Sequence, residues 1–146
     1  WKGTSRFSGT GVAYRVVGGY PTQGLAELVP PLVPSPRSEQ YTTIHDPQIR
    51  AIFEPRLQTM LPGSWQRCFL SIIWRDGSIA PHVDTDAQGE RFHFAIQSNP
   101  HAWVLHDGDW TRVQEGYIYT MDPTREHASV NWGHHPRTLL VVDVTG

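Results

Sequence analysis

The sequence has 146 residues, a length that suits one domain with its own core, and a formal net charge of -2 at pH 7. This charge argues against a protein that binds a phosphate backbone, so no nucleic-acid partner is expected. We expect neither a membrane-spanning helix nor a signal peptide, because no apolar run reaches about 18 residues and no basic start leads into an apolar centre. The single cysteine, Cys68, lies among strand-like apolar residues, which is typical of a buried thiol in a reducing compartment and predicts a cytoplasmic protein.

The N-terminal part of the chain, residues 1–64, is predicted to add a strand, a loop and a helix to the domain. Residues 11–17 are rich in β-branched side chains and are followed by two glycines, so a strand is predicted there. Residues 30–36 contain four prolines. Proline breaks helices, so this segment is predicted to be an extended loop.

A helix is predicted to begin at Asp46-Pro47, an N-cap side chain followed by proline, and to run to about Met60. Its apolar residues recur at three- and four-residue spacing, so we expect this stripe to pack on a sheet. Pro55 predicts a kink or a break within the helix.

Residues 65–146 are predicted to form the β-rich core of the same domain. Short β-branched and aromatic runs between glycine and proline turns favour a mainly-β sandwich or small barrel. The run 65–74 is apolar on both faces and is therefore predicted to be a central strand. In residues 91–97, Phe92, Phe94 and Ile96 share one face, and Arg91, His93, Ala95 and Gln97 share the other. The remaining predicted strands span residues 102–106, 110–113, 116–121 and 138–144.

Three residues have the chemistry of a metal site. In a strand, His82 and Asp84 point to the same side with Cα atoms about 6.5–7 Å apart, and His127 follows 45 residues after His82, where an antiparallel fold can bring the chain back. Two imidazoles and one carboxylate suit a divalent metal such as non-haem iron(II), which keeps open positions for substrate and oxygen. The alternatives are a solvated loop with a hydrogen-bonded pair, or catalytic zinc; a closed structural zinc site would need more cysteines. No catalytic residue beyond these ligands is predicted.

Two arginines and a histidine are predicted to form an anion-binding group beside this site. Arg91 and His93 share a strand face, and Arg137 begins the last predicted strand. A buried arginine needs an anionic partner, and a guanidinium matches a carboxylate with two parallel hydrogen bonds, so a dicarboxylate cosubstrate would fit. Ser71 is interpreted either as a core hydroxyl or as a further carboxylate contact. The alternative for the arginines is internal pairing with one of three acidic residues, Asp122, Glu126 or Asp143.

Over about residues 65–145 the sequence resembles the aspartyl/asparaginyl β-hydroxylase family of iron(II)/2-oxoglutarate-dependent oxygenases. The resemblance rests on His82-x-Asp84, Arg91-x-His93 and the run 126–131, followed by Arg137 and Asp143. It implies one oxygenase domain over residues 1–146, with a double-stranded β-helix (jelly roll, cupin-like) and one or two N-terminal helices packed on the sheet. It also implies that iron is held by His82, Asp84 and His127.

The resemblance further implies which groups bind the cosubstrate 2-oxoglutarate. In the family, an Arg-x-His pair nine and eleven residues after the first iron ligand, and an arginine ten residues after the last one, contact the cosubstrate carboxylates. Arg91, His93 and Arg137 stand at those offsets. Ser71, eleven residues before His82, matches a family serine with the same role.

The activity implied is hydroxylation of an aliphatic C–H bond in an amino acid, free or within a peptide or protein, with 2-oxoglutarate and O2 as cosubstrates. Animal members that hydroxylate proteins lack the carboxylate ligand, so Asp84 makes this chain more similar to the bacterial, small-molecule branch. We therefore expect a small-molecule or peptide substrate and no membrane partner. The alternatives are the same chemistry on a lipid or natural product, or a metal-binding cupin without oxygenase activity, such as an isomerase or a module that binds anions or sugars.

Four further residues are predicted near the site. Glu126 and Asn131 are interpreted as hydrogen-bonding partners that orient the ligands, with a role in turns as the alternative. Trp74 and Trp132 are candidates for the wall of the substrate pocket, with core packing as the alternative for Trp74.

Overall fold

The computed structural model describes residues 14–30 and 41–146. In these residues the chain forms ten strands and one α-helix, α1 (Pro47–Leu57), with short 3-10 turns at Ala26–Leu28 and Gln58–Met60. The strands are β1 (Arg15–Gly19), β2 (Tyr41–Ile44), β3 (Ser64–Ile73), β4 (Gly77–His82), β5 (Glu90–Gln97), β6 (Ala102–His106), β7 (Asp109–Arg112), β8 (Tyr117–Met121), β9 (His127–Asn131) and β10 (Arg137–Thr145).

The strands form two antiparallel sheets. The larger has the order β1-β8-β5-β10-β3-β2, and the smaller has the order β4-β9-β6-β7. Strands that are distant in the sequence are neighbours: β10 pairs along most of its length with both β3 and β5. This is the mainly-β, double-stranded β-helix that was predicted, and β3 lies inside the larger sheet as expected.

Alternation along each strand divides the core into two clusters. On one face of β5, Phe92, Phe94 and Ile96 join the cluster that includes the helix residues. On the opposite face, Ala95 packs with residues of β10 in a second cluster. Burial of each large apolar side chain contributes about 1.5–3 kcal/mol, so both clusters stabilise the fold. Arg91 and His93 of β5 consequently lie on the face of the second cluster.

The helix begins as predicted. The side chain of Asp46 accepts a hydrogen bond from the backbone N–H of Gln48 at 2.7 Å, and proline follows the cap. Pro55 does not break the helix at its own position: α1 continues to Leu57 and then tightens into a 3-10 turn. The helix packs on the outer face of the larger sheet through three buried residues, Ile49, Phe53 and Leu57.

The N-terminal predictions are tested only in part. The strand predicted at residues 11–17 begins at Arg15 and continues to Gly19, while residues 11–13 and most of the predicted 30–36 loop lie outside the described residues. Strands β2, β4 and β9 were not predicted. In residues 14–30 and 41–146, no helix has the length and apolar character needed to cross a membrane.

Candidate functional site

A cavity of about 430 Å³ opens between the two sheets. Its floor is the inward face of the larger sheet, because alternate residues of β3, β5 and β10 point to the same side. The smaller sheet contributes residues of β4 and β9 to the opposite wall. The polar residues that line the cavity include His82, Asp84, His127, Arg91, His93, Arg137 and Ser71.

The three predicted metal ligands meet at one wall of this cavity. His82 and His127 are opposite each other in the β4–β9 pairing, which sets their ring centroids 4.3 Å apart. Asp84 follows the end of β4, and its backbone N–H donates to the carbonyl of Pro123 at 2.8 Å. The Asp84 Oδ2 atom lies 3.7 Å from Nε2 of His82 and 3.3 Å from Nε2 of His127.

Backbone contacts orient both imidazoles toward the carboxylate. Nδ1 of His82 lies 2.7 Å from the carbonyl of Ala80, and Nδ1 of His127 lies 2.8 Å from the carbonyl of Arg125. A carbonyl only accepts, so each Nδ1 carries a proton, and Nε2 is the atom of each ring that faces Asp84 and could bind a metal.

These three residues fit a divalent metal. Ligand atoms about 2.1 Å from an ion and at right angles to each other are about 3 Å apart, so the observed separations need only a small contraction. Candidate ligand atoms of the three residues all lie within 4.8 Å of one another. Burial lowers the pKa of His127 below its ordinary value, which favours the neutral, ligating imidazole.

Arg91 is held by two carboxylates. Its Nε and Nη2 atoms donate to the two oxygens of Asp143 at 2.7 and 3.0 Å, and Nη1 donates to Asp84 Oδ2 at 2.6 Å. Burial opposes the charge of Arg91, but Asp143 and then Asp84 outweigh it, and the pKa is raised. Of the two interpretations of Arg91, the geometry therefore favours internal pairing over direct cosubstrate binding.

Arg137 has a different environment. Its side chain is buried, and Nη2 donates to the carbonyl and the hydroxyl of Ser71 at 3.1 and 2.8 Å. Nε has no hydrogen-bond partner, and among residues 14–30 and 41–146 no carboxylate forms an ion pair with this guanidinium. Burial lowers the pKa of Arg137 from its ordinary value to about 10. Such a group attracts an anion into the cavity.

His93 lies between the two arginines and is anchored by a residue that the sequence analysis did not assign to the site. The hydroxyl of Tyr14 lies 2.8 Å from Nδ1 of His93, and its ring stacks on Tyr119 with centroids 4.9 Å apart. Burial, followed by the charge of Arg137, holds the pKa of His93 well below its ordinary value. Tyr14 escaped prediction because it precedes the region of the resemblance and carries no motif.

Glu126 and Asn131 lie at the two ends of β9. The side chain of Glu126 is exposed, and its carbonyl accepts from the backbone N–H of Asp107 at 2.9 Å. Asn131 is fully buried and donates to the carbonyls of Ile73 and His135 at 3.0 and 2.8 Å. Asn131 thus fixes the turn after β9, which fits the alternative interpretation of this residue.

The structure brings neither predicted tryptophan into the cavity. Trp74 donates from Nε1 to the hydroxyl of Thr42 at 3.1 Å, and Trp132 is 60% exposed beside Trp110. Five other residues complete the cavity, and none of them had been assigned to a substrate pocket. They lie in β2, directly after β2 and in β3: Tyr41, Thr43, His45, Arg67 and Phe69. An unpredicted short strand, β2, carries the first two of them.

Two facing sheets around a His-Asp-His group that could hold a metal ion define a protein of cupin-type fold with a candidate metal site. The particular family follows from the sequence: the profile of the aspartyl/asparaginyl beta-hydroxylase family matches residues 36–146. The chain belongs to that family. No sequence among the curated proteins matches the chain.

Solved structures share the fold at low sequence identity. A protein from Thermus thermophilus is 15% identical with a TM-score of 0.55, covering 84% of this chain and 94% of that one. A cupin superfamily protein from Desulfitobacterium hafniense is 12% identical with a TM-score of 0.53, covering 90% and 99%. The cupin domain of an XRE family transcriptional regulator from Enterobacter cloacae is 12% identical with a TM-score of 0.50, covering 73% and 99%. These likenesses establish the fold alone.

Proposed function

We propose that the protein is an iron(II)/2-oxoglutarate-dependent dioxygenase that hydroxylates an aliphatic C–H bond of an amino acid, free or within a peptide. One observation carries the proposal: the buried guanidinium of Arg137, which has no carboxylate partner among residues 14–30 and 41–146, lines the same cavity as the His-Asp-His group. A metal site alone suits many cupins. A site in which a dicarboxylate can reach from a metal to Arg137 is compatible with a narrower class of cupins.

The metal would be held by Nε2 of His82, Nε2 of His127 and a carboxylate oxygen of Asp84. Three protein ligands leave open positions on an iron ion, as this chemistry requires. Iron(II) and 2-oxoglutarate, when bound, supply O2 activation: C–H, O2 and 2-oxoglutarate give C–OH, succinate and CO2, with one oxygen atom in the alcohol and one in succinate.

The protein residues bind and orient. Arg137 and the hydroxyl of Ser71 would receive the far carboxylate of 2-oxoglutarate through charge-assisted hydrogen bonds. His93, kept neutral by burial, borders the same space. Leu139 and Val141 line the cavity floor and exclude water from the bound cosubstrate.

The dimensions of the cavity favour a compact substrate. Small-molecule sites span about 300–1,000 Å³, and the cavity of about 430 Å³ must hold the cosubstrate as well. The open side offers aromatic and polar groups of β2 and β3, including Tyr41 and Arg67. A free amino acid or one side chain of a peptide suits this space better than a long acyl chain.

Anaerobic titration tests the proposal. Iron(II) and 2-oxoglutarate added together should produce a visible metal-to-ligand absorption band that neither produces alone, and His127→Ala should abolish it. Under oxygen, succinate should form, and a panel of amino acids and peptides should accelerate its formation when one is a substrate. The absence of both band and succinate would reject the oxygenase in favour of a metal-binding cupin of another activity.

A further inference from the structure

A chain of three charged groups runs from the core to the metal site. Asp143 and Arg91 are cross-strand partners in the β10–β5 pairing, and both are buried. Arg91 donates hydrogen bonds from Nε and Nη2 to Asp143, and from Nη1 to Asp84 at 2.6 Å. The contacted Asp84 atom, Oδ2, is also the oxygen nearest to both imidazoles.

Arg91 has two opposite effects on an ion at this site. Its hydrogen bond occupies one lone-pair direction of Asp84 Oδ2 and so fixes the orientation of the carboxylate. Its positive charge repels a cation that approaches the same oxygen. Asp143 removes the second effect and keeps the first, because a bidentate carboxylate neutralises the guanidinium and holds it in one plane.

We propose that Asp143 is a positioning residue of the metal site, which acts through Arg91 to orient Asp84 and to neutralise the cation beside it. Asp143 is therefore a determinant of metal affinity although its carboxylate is directed to Arg91. The inference rests on the metal site of the proposed function and needs neither the cosubstrate nor the substrate.

The alternative is a salt bridge that only holds β5 and β10 together. Such a bridge would affect the stability of the metal-free protein and leave the affinity of the folded protein for metal unchanged. Metal affinity in the absence of 2-oxoglutarate therefore separates the two roles. Partners that orient a metal ligand typically change affinity by about 10–100-fold.

The test measures cobalt(II) binding to metal-free protein by calorimetry and by the visible absorption of the bound ion. Asp143→Asn should weaken binding by about 10–100-fold and change the absorption spectrum. The matched control is Asp76→Asn, which removes an exposed carboxylate that pairs with Arg75 at 3.5 Å. This control should bind cobalt(II) like the parent.

A second variant covers the case in which Asp143→Asn does not fold, since an unpaired buried arginine is destabilising. The double variant Arg91→Met/Asp143→Leu restores a neutral, filled core but offers no donor to Asp84. It should fold and bind cobalt(II) about tenfold more weakly than the parent.

The outcomes are distinct. A parent protein that binds no cobalt(II) would defeat the metal site and the proposed function together with this inference. A parent that binds, with a folded Asp143→Asn or double variant of equal affinity and spectrum, would overturn the inference and leave the proposed function standing. Weaker binding by the variants, with an unchanged Asp76→Asn control, supports the inference.

Discussion

Replacing Arg137 with methionine removes a buried charge from the cavity and should have opposite effects on stability and on cosubstrate binding. Without an anion, Arg137 is buried and its Nε has no partner. Burial lowers its pKa from its ordinary value to about 10, and a shift of this size corresponds to about 3 kcal/mol by which folding disfavours the charged form. Methionine has a similar apolar length and carries no such cost.

The cost of burying this charge depends on pH. At any pH below about 10 the guanidinium is charged in both the folded and the unfolded protein, so the cost is fully present at pH 7. It disappears only as the pH rises from about 10 towards 12.5. Methionine also removes the hydrogen bonds to Ser71, which offsets about 1–3 kcal/mol of the gain. We therefore expect metal-free Arg137→Met to be at least as stable as the parent.

The effect on binding should be a large loss. A charge-assisted pair between Arg137 and the far carboxylate of 2-oxoglutarate is worth about 2–5 kcal/mol when it is desolvated, so affinity should fall by at least about 30-fold. Metal affinity should not change, because Arg137 does not contact the metal ligands. Anaerobic titration measures both affinities, and urea unfolding measures stability.

Arg75→Met is the matched control, since this arginine is exposed and pairs only with its neighbour Asp76 among the described residues. It should bind the cosubstrate like the parent. If Arg137→Met retained the parent affinity for 2-oxoglutarate, or if it lost several kcal/mol of stability without ligand, the assignment of Arg137 as an unsatisfied cation awaiting an anion would be wrong.

Three other predictions concern residues around the site. Gly89→Ala should lower the free energy of unfolding by about 3 kcal/mol or more, because the added Cβ would lie 2.1 Å from a backbone oxygen of β10. The control is Gly108→Ala, which is also at positive φ but in open space and should cost about 1 kcal/mol. Equal losses of stability in urea unfolding would contradict this prediction. The pKa of His93 is lowered in the folded state, so below pH 6.5 the unfolded chain binds a proton that the folded protein does not. The stability of the metal-free protein should therefore decline as the pH falls below 6.5, by at most about 1.4 kcal/mol per pH unit from this group. His93→Gln should flatten that decline between pH 7 and about pH 5, and an unchanged slope would refute the cause. Tyr14→Phe leaves a ring nitrogen of His93 without its partner and should weaken 2-oxoglutarate binding roughly fivefold, while the exposed Tyr117→Phe should not; equal affinities for the two variants would remove Tyr14 from the site.

The fold was predictable because apolar and polar residues alternate along several of its strands. In β5 the large apolar side chains Phe92, Phe94 and Ile96 alternate with Arg91, His93 and Ala95, and the N-cap at Asp46 marks the start of the helix. The missed strands give weaker signals. β4 ends in Ala-Pro-His, and β9 alternates, but over only five residues with two apolar side chains, Ala128 and Val130. Their conformation depends on pairing with each other, which local sequence does not encode.

The partners within the site depend on register. Arg91 and Asp143 are 52 residues apart, and Tyr14 and His93 are 79 residues apart. Sequence spacing identified Arg91 and Asp143 as candidate partners but left the choice between an acid and a cosubstrate open. A shift of one residue between β5 and β10 would turn every side chain to the other face. The observed pairing settles which acid Arg91 holds.

The position of β10 determines when the site can exist during synthesis. This strand enters between β3 and β5 and brings Arg137 at one end and Asp143 at the other. All three candidate metal ligands precede it in the chain. A nascent polypeptide from which β10 is still missing therefore has the candidate metal ligands. It lacks the β10 part of the cavity floor, the anion-binding Arg137 and the Asp143 carboxylate that neutralises Arg91. Assembly of the site is completed in the middle of the larger sheet, by a strand that follows all three candidate ligands in the chain.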